Sequence, residues 1–335
     1  MNNLPIPLSI DQVRAAAERL RGKSVVTPLL ESPFLNELAG KRVLVKAECL
    51  QRTGSFKFRG AWSAVSALPE DVRQRGVIAY SSGNHAQGVA LAAKLAGTQA
   101  VIIMPNDAPQ LKIANTRSFG AEVVLYDRPG GENREKLCET LANERGLHLI
   151  RPYDDPYVVC GQGTCGLEIA EQALALDIDE ATVLVCCGGG GLTSGIAIAS
   201  ASDAPGFSVR PVEPQYYDDV IRSQIAGSRQ FVSSKEPSIC DAIVTPAPGE
   251  ITFPVIKEKC RTGIVVSDRE ALLAMGQALT RLKVIAEPGG AVALAAALYH
   301  SMEIDTDVVI ATISGGNADP ETISQALELT AVAVS

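Results

Sequence analysis

Short β-branched runs recur along this chain with longer Ala- and Leu-rich segments of helical spacing between them, and that alternation constrains the fold most. The strand candidates are Arg42–Lys46, Val77–Tyr80, Ala100–Met104, Glu122–Tyr126, Thr182–Cys187, Ser208–Val212 and Asp307–Ile313. Helical patterns occupy Asp11–Leu20, Phe58–Ala67, Ala86–Leu95, Gln110–Ser118, Glu132–Glu144, Gly166–Leu176, Leu192–Ala201 and Glu270–Leu282. Strands separated by helices need crossover connections, which means a largely parallel sheet. In such sheets ligands bind beyond the carboxyl ends of strands, at the first turns of the helices that follow. Those turns are where function is sought.

The chain has 335 residues, one large domain or two ordinary ones at roughly 100–200 residues each. No Pro/Ser/Gly linker and no internal repeat divides it, so two α/β lobes would have interleaved connectivity. A hydrophobic share of 46% against 20% charged residues excludes a disordered chain. Lys and Arg total 30 against 38 Asp and Glu, a net charge of −8 with no basic run. Nucleic acid is therefore excluded as a partner. The eight cysteines form no Cys-x-x-Cys pair and only three His accompany them. Buried free thiols in a reducing compartment fit better than structural zinc. The first seven residues lack the basic and apolar regions of a signal peptide. Ala181–Ser202 is uncharged and long enough to span a bilayer, but four glycines followed by Thr193 and Ser194 break it into strand, turn and helix. A soluble cytoplasmic protein with no membrane contact is expected.

Four turns stand out. Thr53-Gly54-Ser55-Phe56-Lys57-Phe58-Arg59-Gly60 sets a lysine between two phenylalanines at a helix start. Desolvation and the helix dipole both favour a neutral amine there, able to act as a base or form a Schiff base; taken alone, the turn also suits a surface lysine. Ser81-Ser82-Gly83-Asn84-His85 follows a strand and offers hydroxyls and free amides to a carboxylate, or a plain helix cap. Cys187-Gly188-Gly189-Gly190-Gly191-Leu192 suits a phosphate, whose oxygens only a side-chain-free backbone approaches closely. It is no Walker loop, because no Gly-Lys-[Ser/Thr] follows. Ser314-Gly315-Gly316-Asn317 places a hydroxyl after an apolar strand. A fifth run, Gly161-Gln162-Gly163-Thr164-Cys165-Gly166, matches the dinucleotide fingerprint by letter, but only Tyr157–Val159 could begin a strand before it. A nicotinamide site there ranks last among the readings.

A reactive lysine, a carboxylate loop, a phosphate loop and a hydroxyl for a ring nitrogen together describe pyridoxal phosphate with an amino-acid substrate. From about Arg14 to Asn317 the chain resembles the serine racemase and threonine dehydratase family of pyridoxal-phosphate enzymes. The resemblance rests on Ser55-Phe56-Lys57-Phe58-Arg59-Gly60-Ala61, Gly188–Gly191 and Ser314-Gly315-Gly316-Asn317. It implies an α/β chain of fold type II, similar to the tryptophan synthase β subunit, with two open twisted, mostly parallel sheets flanked by helices. Residues 1–76 and 153–335 would form a large cofactor-binding domain and 77–152 a small domain closing on substrate.

By the same resemblance Lys57 holds the cofactor as a Schiff base and serves as base on one face of Cα. Phe56 packs on the ring, Asn84 bonds its 3′-oxygen, Gly188, Gly189, Gly190, Gly191 and Leu192 hold the phosphate, and Ser314 faces the ring nitrogen. Ser81, Ser82, Asn84 and His85 bind the substrate carboxylate. A hydroxyl cannot stabilise a protonated ring as a carboxylate does, which suits quick loss of a β-substituent. Ser82 stands where pure threonine dehydratases of the family tend to carry Ala, and could be an acid or base on the face opposite Lys57. Arg134 resembles a racemase-branch arginine near the active site, or is a solvated helix residue. Glu213, Tyr217 (through its carbonyl) and Asp219 resemble a site for Mg²⁺, Mn²⁺ or Ca²⁺; the acids also suit a helix first turn without metal.

The resemblance thus implies an ammonia-lyase (dehydratase) that converts L-threo-3-hydroxyaspartate, L-serine or L-threonine to a 2-oxo acid and ammonia. The runner-up is a serine or aspartate racemase with lyase side activity. A binding protein that has lost catalysis is disfavoured by the intact Lys57, and a dehydrogenase ranks below it. A homodimer is expected, and the short stretch after Asn317 suggests no regulatory domain and no feedback by isoleucine.

Overall fold

The computed structural model describes residues 8–108, 110–128 and 130–334; the opening seven residues, read above as lacking a signal peptide, lie outside these. The strands are β1 (Leu29–Glu31), β2 (Arg42–Ala47), β3 (Val77–Tyr80), β4 (Ala100–Pro105), β5 (Glu122–Tyr126), β6 (His148–Leu149), β7 (Ala181–Cys186), β8 (Phe207–Pro214), β9 (Ile264–Val266) and β10 (Val308–Ile313). They form two sheets, ordered β1-β2-β10-β7-β8-β9 and β5-β4-β3-β6. Every pairing is parallel except β1 on β2. The larger sheet takes strands from both ends of the chain, and the smaller is built wholly within residues 77–149.

Central strands of the larger sheet are covered on both faces. In β10, Val309 to Ile313 are all buried, and in β7 so are all six residues. Two-sided cover is why these runs read as continuously apolar rather than alternating. Helix Pro288–Tyr299 packs on this sheet and buries nearly its whole circumference, which its alanines permit. All eight cysteines are free thiols, as expected. Among the described residues no helix is long and apolar enough to cross a membrane; Ala181–Ser202 divides into β7, the glycine turn and helix Gly191–Asp203.

The segment before the dinucleotide-like run lacks the strand that such a site needs. Tyr157–Val159 begins no strand: a helix runs from Pro156 to Leu174, capped by Asp155, whose carboxylate accepts the amides of Tyr157 (2.8 Å) and Val158 (3.1 Å). The dinucleotide-like glycines therefore lie inside a helix. A Cβ on Gly163 would stand 3.0 Å from the Gly195 carbonyl, and one on Gly166 2.8 Å from Ala199 Cβ. These glycines let two helices cross closely and hold no nucleotide.

Candidate active site

Lys57 is the first residue of helix Lys57–Ala67. Its Nζ donates to the Pro152 carbonyl at 3.1 Å and lies 5.0 Å from the centre of the Phe56 ring. Burial pushes its pKa down to about 8, partly opposed by the carboxylate of Glu287. The turn before it is spliced to the turn after β10. Phe56 N donates to Ser314 O (3.1 Å) and Gly316 N to Gly54 O (2.9 Å). Ser55 and Gly315 form a bridge between them. Ser314 is thereby brought beside the lysine turn although 257 residues separate it from Lys57.

The glycine turn completes that side. Gly190 has φ of +89° and caps helix Gly191–Asp203, a conformation that favours glycine. A Cβ on Gly189 would stand 2.3 Å from the Tyr153 ring. The Gly189 carbonyl is pinned by Thr252 Oγ1 (2.7 Å) and Gly249 N (3.1 Å). No protein acceptor engages the amides of Gly190, Gly191 and Leu192 among the described residues. A tight ring of unpaired amides at a helix N-terminus fits a phosphate. Phe56, Lys57, Gly188–Leu192 and Ser314 share one cavity of about 40 Å³. It adjoins a cleft of about 160 Å³, with Lys57, Asn84, Pro152, Tyr153 and Glu287 common to both.

That cleft is walled by Ser81, Ser82, Asn84, His85 and Arg134. Helix Asn84–Leu95 begins at this wall, and the Gly83 amide donates to Ser81 Oγ at 3.2 Å. The His85 Nε2 lies 3.0 Å from the Ile150 carbonyl, which can only accept, and therefore carries the proton. Burial, with Lys57 nearby, pushes its pKa down to about 3, so the ring stays neutral and its backbone amide is what the turn can offer. Arg134 sits over the Tyr80 ring at 5.2 Å and near Glu135 at 3.7 Å, with 44% of its side chain exposed. It is both solvated and on the cleft wall.

Glu287 escaped the sequence reading. It is buried, its Oε1 accepts Asn84 Nδ2 at 2.5 Å, and Asn84 Oδ1 accepts Asn317 Nδ2 at 2.7 Å. Both Asn84 amide ends are thus assigned, which fixes its orientation at the floor of the site. Burial, with Asp241 nearby, raises the Glu287 pKa to about 7. The local signal was Glu287-Pro288-Gly289-Gly290, an acid before a proline at a helix start. Tyr153, missed as well, lines both cavities.

Glu213, Tyr217 and Asp219 line neither of these cavities; Glu213 and Asp219 lie close enough to raise Glu213 by repulsion. The Glu213 carboxylate accepts the amides of Val220 (3.0 Å) and Ile221 (2.8 Å), capping helix Asp219–Ala226. Asp219 Oδ2 is buried without a partner. Burial raises both acids, Asp219 to about 7 and Glu213 well above the carboxylate range. The unpaired buried oxygen fits a cation, while the capping bonds occupy both Glu213 oxygens. Among the described residues no group of three or more His, Cys, Asp or Glu side chains converges as a metal site.

Comparison with known proteins bears on this geometry. Residues 22–315 match the family described as "Pyridoxal-phosphate dependent enzyme". The chain is 42% identical over 320 residues to an L-threo-3-hydroxyaspartate ammonia-lyase from Pseudomonas sp, covering 96% of this chain and 98% of the relative. It is 40% identical to the serine racemase of Schizosaccharomyces pombe, covering 96% and 97%. The crystal structure of the serine racemase from Dictyostelium discoideum superposes with a TM-score of 0.85 at 36% identity, over 93% of this chain and 99% of that one. The two-sheet architecture expected of fold type II is the one observed, and the chain belongs to the pyridoxal-phosphate dependent enzyme family.

Proposed function

We propose that this chain is an ammonia-lyase (dehydratase) converting a β-hydroxy amino acid, L-threo-3-hydroxyaspartate, L-serine or L-threonine, to a 2-oxo acid and ammonia. One observation carries the reading: a desolvated lysine, a glycine loop of unpaired amides and a Ser-rich turn meet at adjoining cavities. Pyridoxal phosphate, when bound, would supply an electron sink that acidifies the Cα proton and an acidic group for the leaving hydroxyl.

Lys57 binds the cofactor, and its amine, once free, takes the Cα proton; burial keeps that amine within reach of neutrality. Gly188 to Leu192 would hold the phosphate, Phe56 would pack on the ring, and Ser314 and Asn84 would bond the ring nitrogen and the 3′-oxygen; all of them line one cavity. Ser81, Ser82 and the amides of Asn84 and His85 bind the carboxylate, with Arg134 on the same wall. Loss of the hydroxyl leaves an enamine, which water converts to the 2-oxo acid and ammonia. Ser82 with Arg134 favours hydroxyaspartate and serine over threonine.

Residues 77–152 act as a small domain closing on 1–76 and 153–335; the ion pair of Lys112 with Asp241 (3.1 Å) across the cleft supports this. A divalent cation at Glu213, Asp219 and the Tyr217 carbonyl is supported by the unpaired Asp219 oxygen. The free thiols support a cytoplasmic setting. Val25, Val26 and Leu50 expose apolar surface on turns joined through Gln51, which supports a homodimer. A second reading, a serine or aspartate racemase with lyase side activity, is favoured by Ser82 on the cleft wall.

The test is 2-oxo-acid release across D- and L-serine, L-threonine and the hydroxyaspartate isomers. Turnover of at least one L-β-hydroxy amino acid is expected. Interconversion of enantiomers without 2-oxo acid would overturn the lyase in favour of the racemase.

A further inference from the structure

Four charged side chains lie in the core directly behind the lysine turn, and no step proposed above uses them. Arg59, Lys46 and Glu48 are wholly buried, and Glu168 is 14% exposed. Arg59 binds Glu48 through Nε and Nη2, each at 2.7 Å, and Glu168 through Nη1 (2.7 Å) and Nη2 (2.8 Å). Lys46 closes the quartet on Glu168 at 2.6 Å and also donates to the Thr27 carbonyl and Gln172. Two positive and two negative charges balance.

The same residues explain the glycine run that imitates a nucleotide fingerprint. Gln162 Oε1 accepts the Gly60 amide at 3.1 Å, and Arg59 Nη1 lies 3.2 Å from Thr164 Oγ1. A Cβ on Gly161 would stand 2.6 Å from the Arg59 carbonyl. Gly161 to Glu168 is thus the seat on which the helix beginning at Lys57 rests. That seat belongs to helix Pro156–Leu174, and Pro152, just before this helix, holds the Lys57 amine.

Well-packed apolar side chains of similar volume often match a buried ion quartet in stability, so stability alone gives no reason for one here. Bidentate arginine bonds add direction, which apolar contacts lack. We infer that Lys46, Glu48, Arg59 and Glu168 are positioning residues. They lock the first turn of helix Lys57–Ala67 to helix Pro156–Leu174 and so set where the Lys57 amine stands in the cleft. The inference rests on Lys57 being the cofactor-binding lysine.

The test is the paired variant Lys46→Met/Glu168→Met in the cofactor-loaded protein. It removes one charge of each sign and leaves Arg59 with Glu48. Melting temperature, kcat, KM, the pH dependence of kcat and cofactor loss on dialysis are measured. Arg59 loses both of its bonds to Glu168, so melting should fall somewhat while the variant stays folded at the assay temperature. A reacting group misplaced by about 1 Å costs on the order of 10²-fold, so kcat should fall by about that factor with KM changed only a few-fold. Water reaching the loosened amine should move the acid limb of the kcat profile up by about half a pH unit or more, and cofactor should leave faster. Wild-type kcat, pH limb and retention in a folded variant would overturn the inference. Should that variant not fold, Glu168→Gln, which keeps the side chain's shape, is judged by the same criteria. A wild-type chain that takes up no cofactor would overturn the lysine assignment and this inference with it, a result distinct from a loaded but unaltered variant.

Discussion

Replacing Glu287 by Gln should stabilise the cofactor-free protein at alkaline pH and leave it nearly unchanged in acid. Glu287 is 2% exposed, and its pKa rises from an ordinary 4.5 to about 7, chiefly through burial. Below pH 4.5 the folded and unfolded states both carry the proton. Between 4.5 and 7 the unfolded chain releases it and the folded chain retains it, so wild-type stability falls as pH rises. Above about pH 7 both states are ionised and the loss is complete, at about 3 kcal/mol for a displacement of this size. Gln does not titrate, and its carbonyl can accept the Asn84 amide as the carboxylate does. Urea unfolding of both proteins from pH 5 to 8 reads the difference directly, with unchanged m-values securing the comparison. The variant should gain most of those 3 kcal/mol relative to wild type across the range. Parallel stability profiles would refute the reasoning, because the buried carboxylate would then ionise at no cost.

Lys57→Ala should abolish turnover, and Lys57→Arg should fail equally because guanidinium stays protonated; steady-state assays with added cofactor check both. Ser82→Ala should keep the lyase reaction on the enantiomer served by Lys57. It should lose about 10²–10⁴-fold in racemisation and in activity on the other enantiomer, as chiral product analysis would show; equal losses on both would make Ser82 a binding residue only. Exhaustive chelation should lower the melting temperature if Asp219 and Glu213 hold a cation, since an ion bound only to the folded state stabilises it. Unchanged melting would return these acids to capping their helix.

Much of the site was legible because its parts are local. A lysine between phenylalanines, four glycines after an apolar strand and a Ser-rich turn each occupy a few consecutive residues. Their positions at strand ends followed from the alternation of patterns. The central strands β7 and β10 were equally legible, since burial on both faces demands unbroken apolar runs. The short edge strands β1, β6 and β9, two or three residues each, carry too few residues for a period to show. Glu287 could not be placed because its partner Asn84 lies 203 residues away and only the fold joins them. The direction of the His85 ring depends likewise on the distant Ile150 carbonyl. Gly161 to Gly166 stayed ambiguous by letter alone, because close helix crossing and phosphate approach both select glycine; the poor strand before the run already weighed against a nucleotide, and the surrounding helix gives the reason for the glycines.

The central claim is that Lys57, and no other lysine, binds pyridoxal phosphate. Borohydride reduction of the loaded protein fixes the cofactor to its lysine, and peptide mass mapping then locates the adduct. A single pyridoxyl modification is predicted on the peptide containing Ser55-Phe56-Lys57-Phe58. A modification on another lysine, or none on a protein that turns over substrate, would contradict the account.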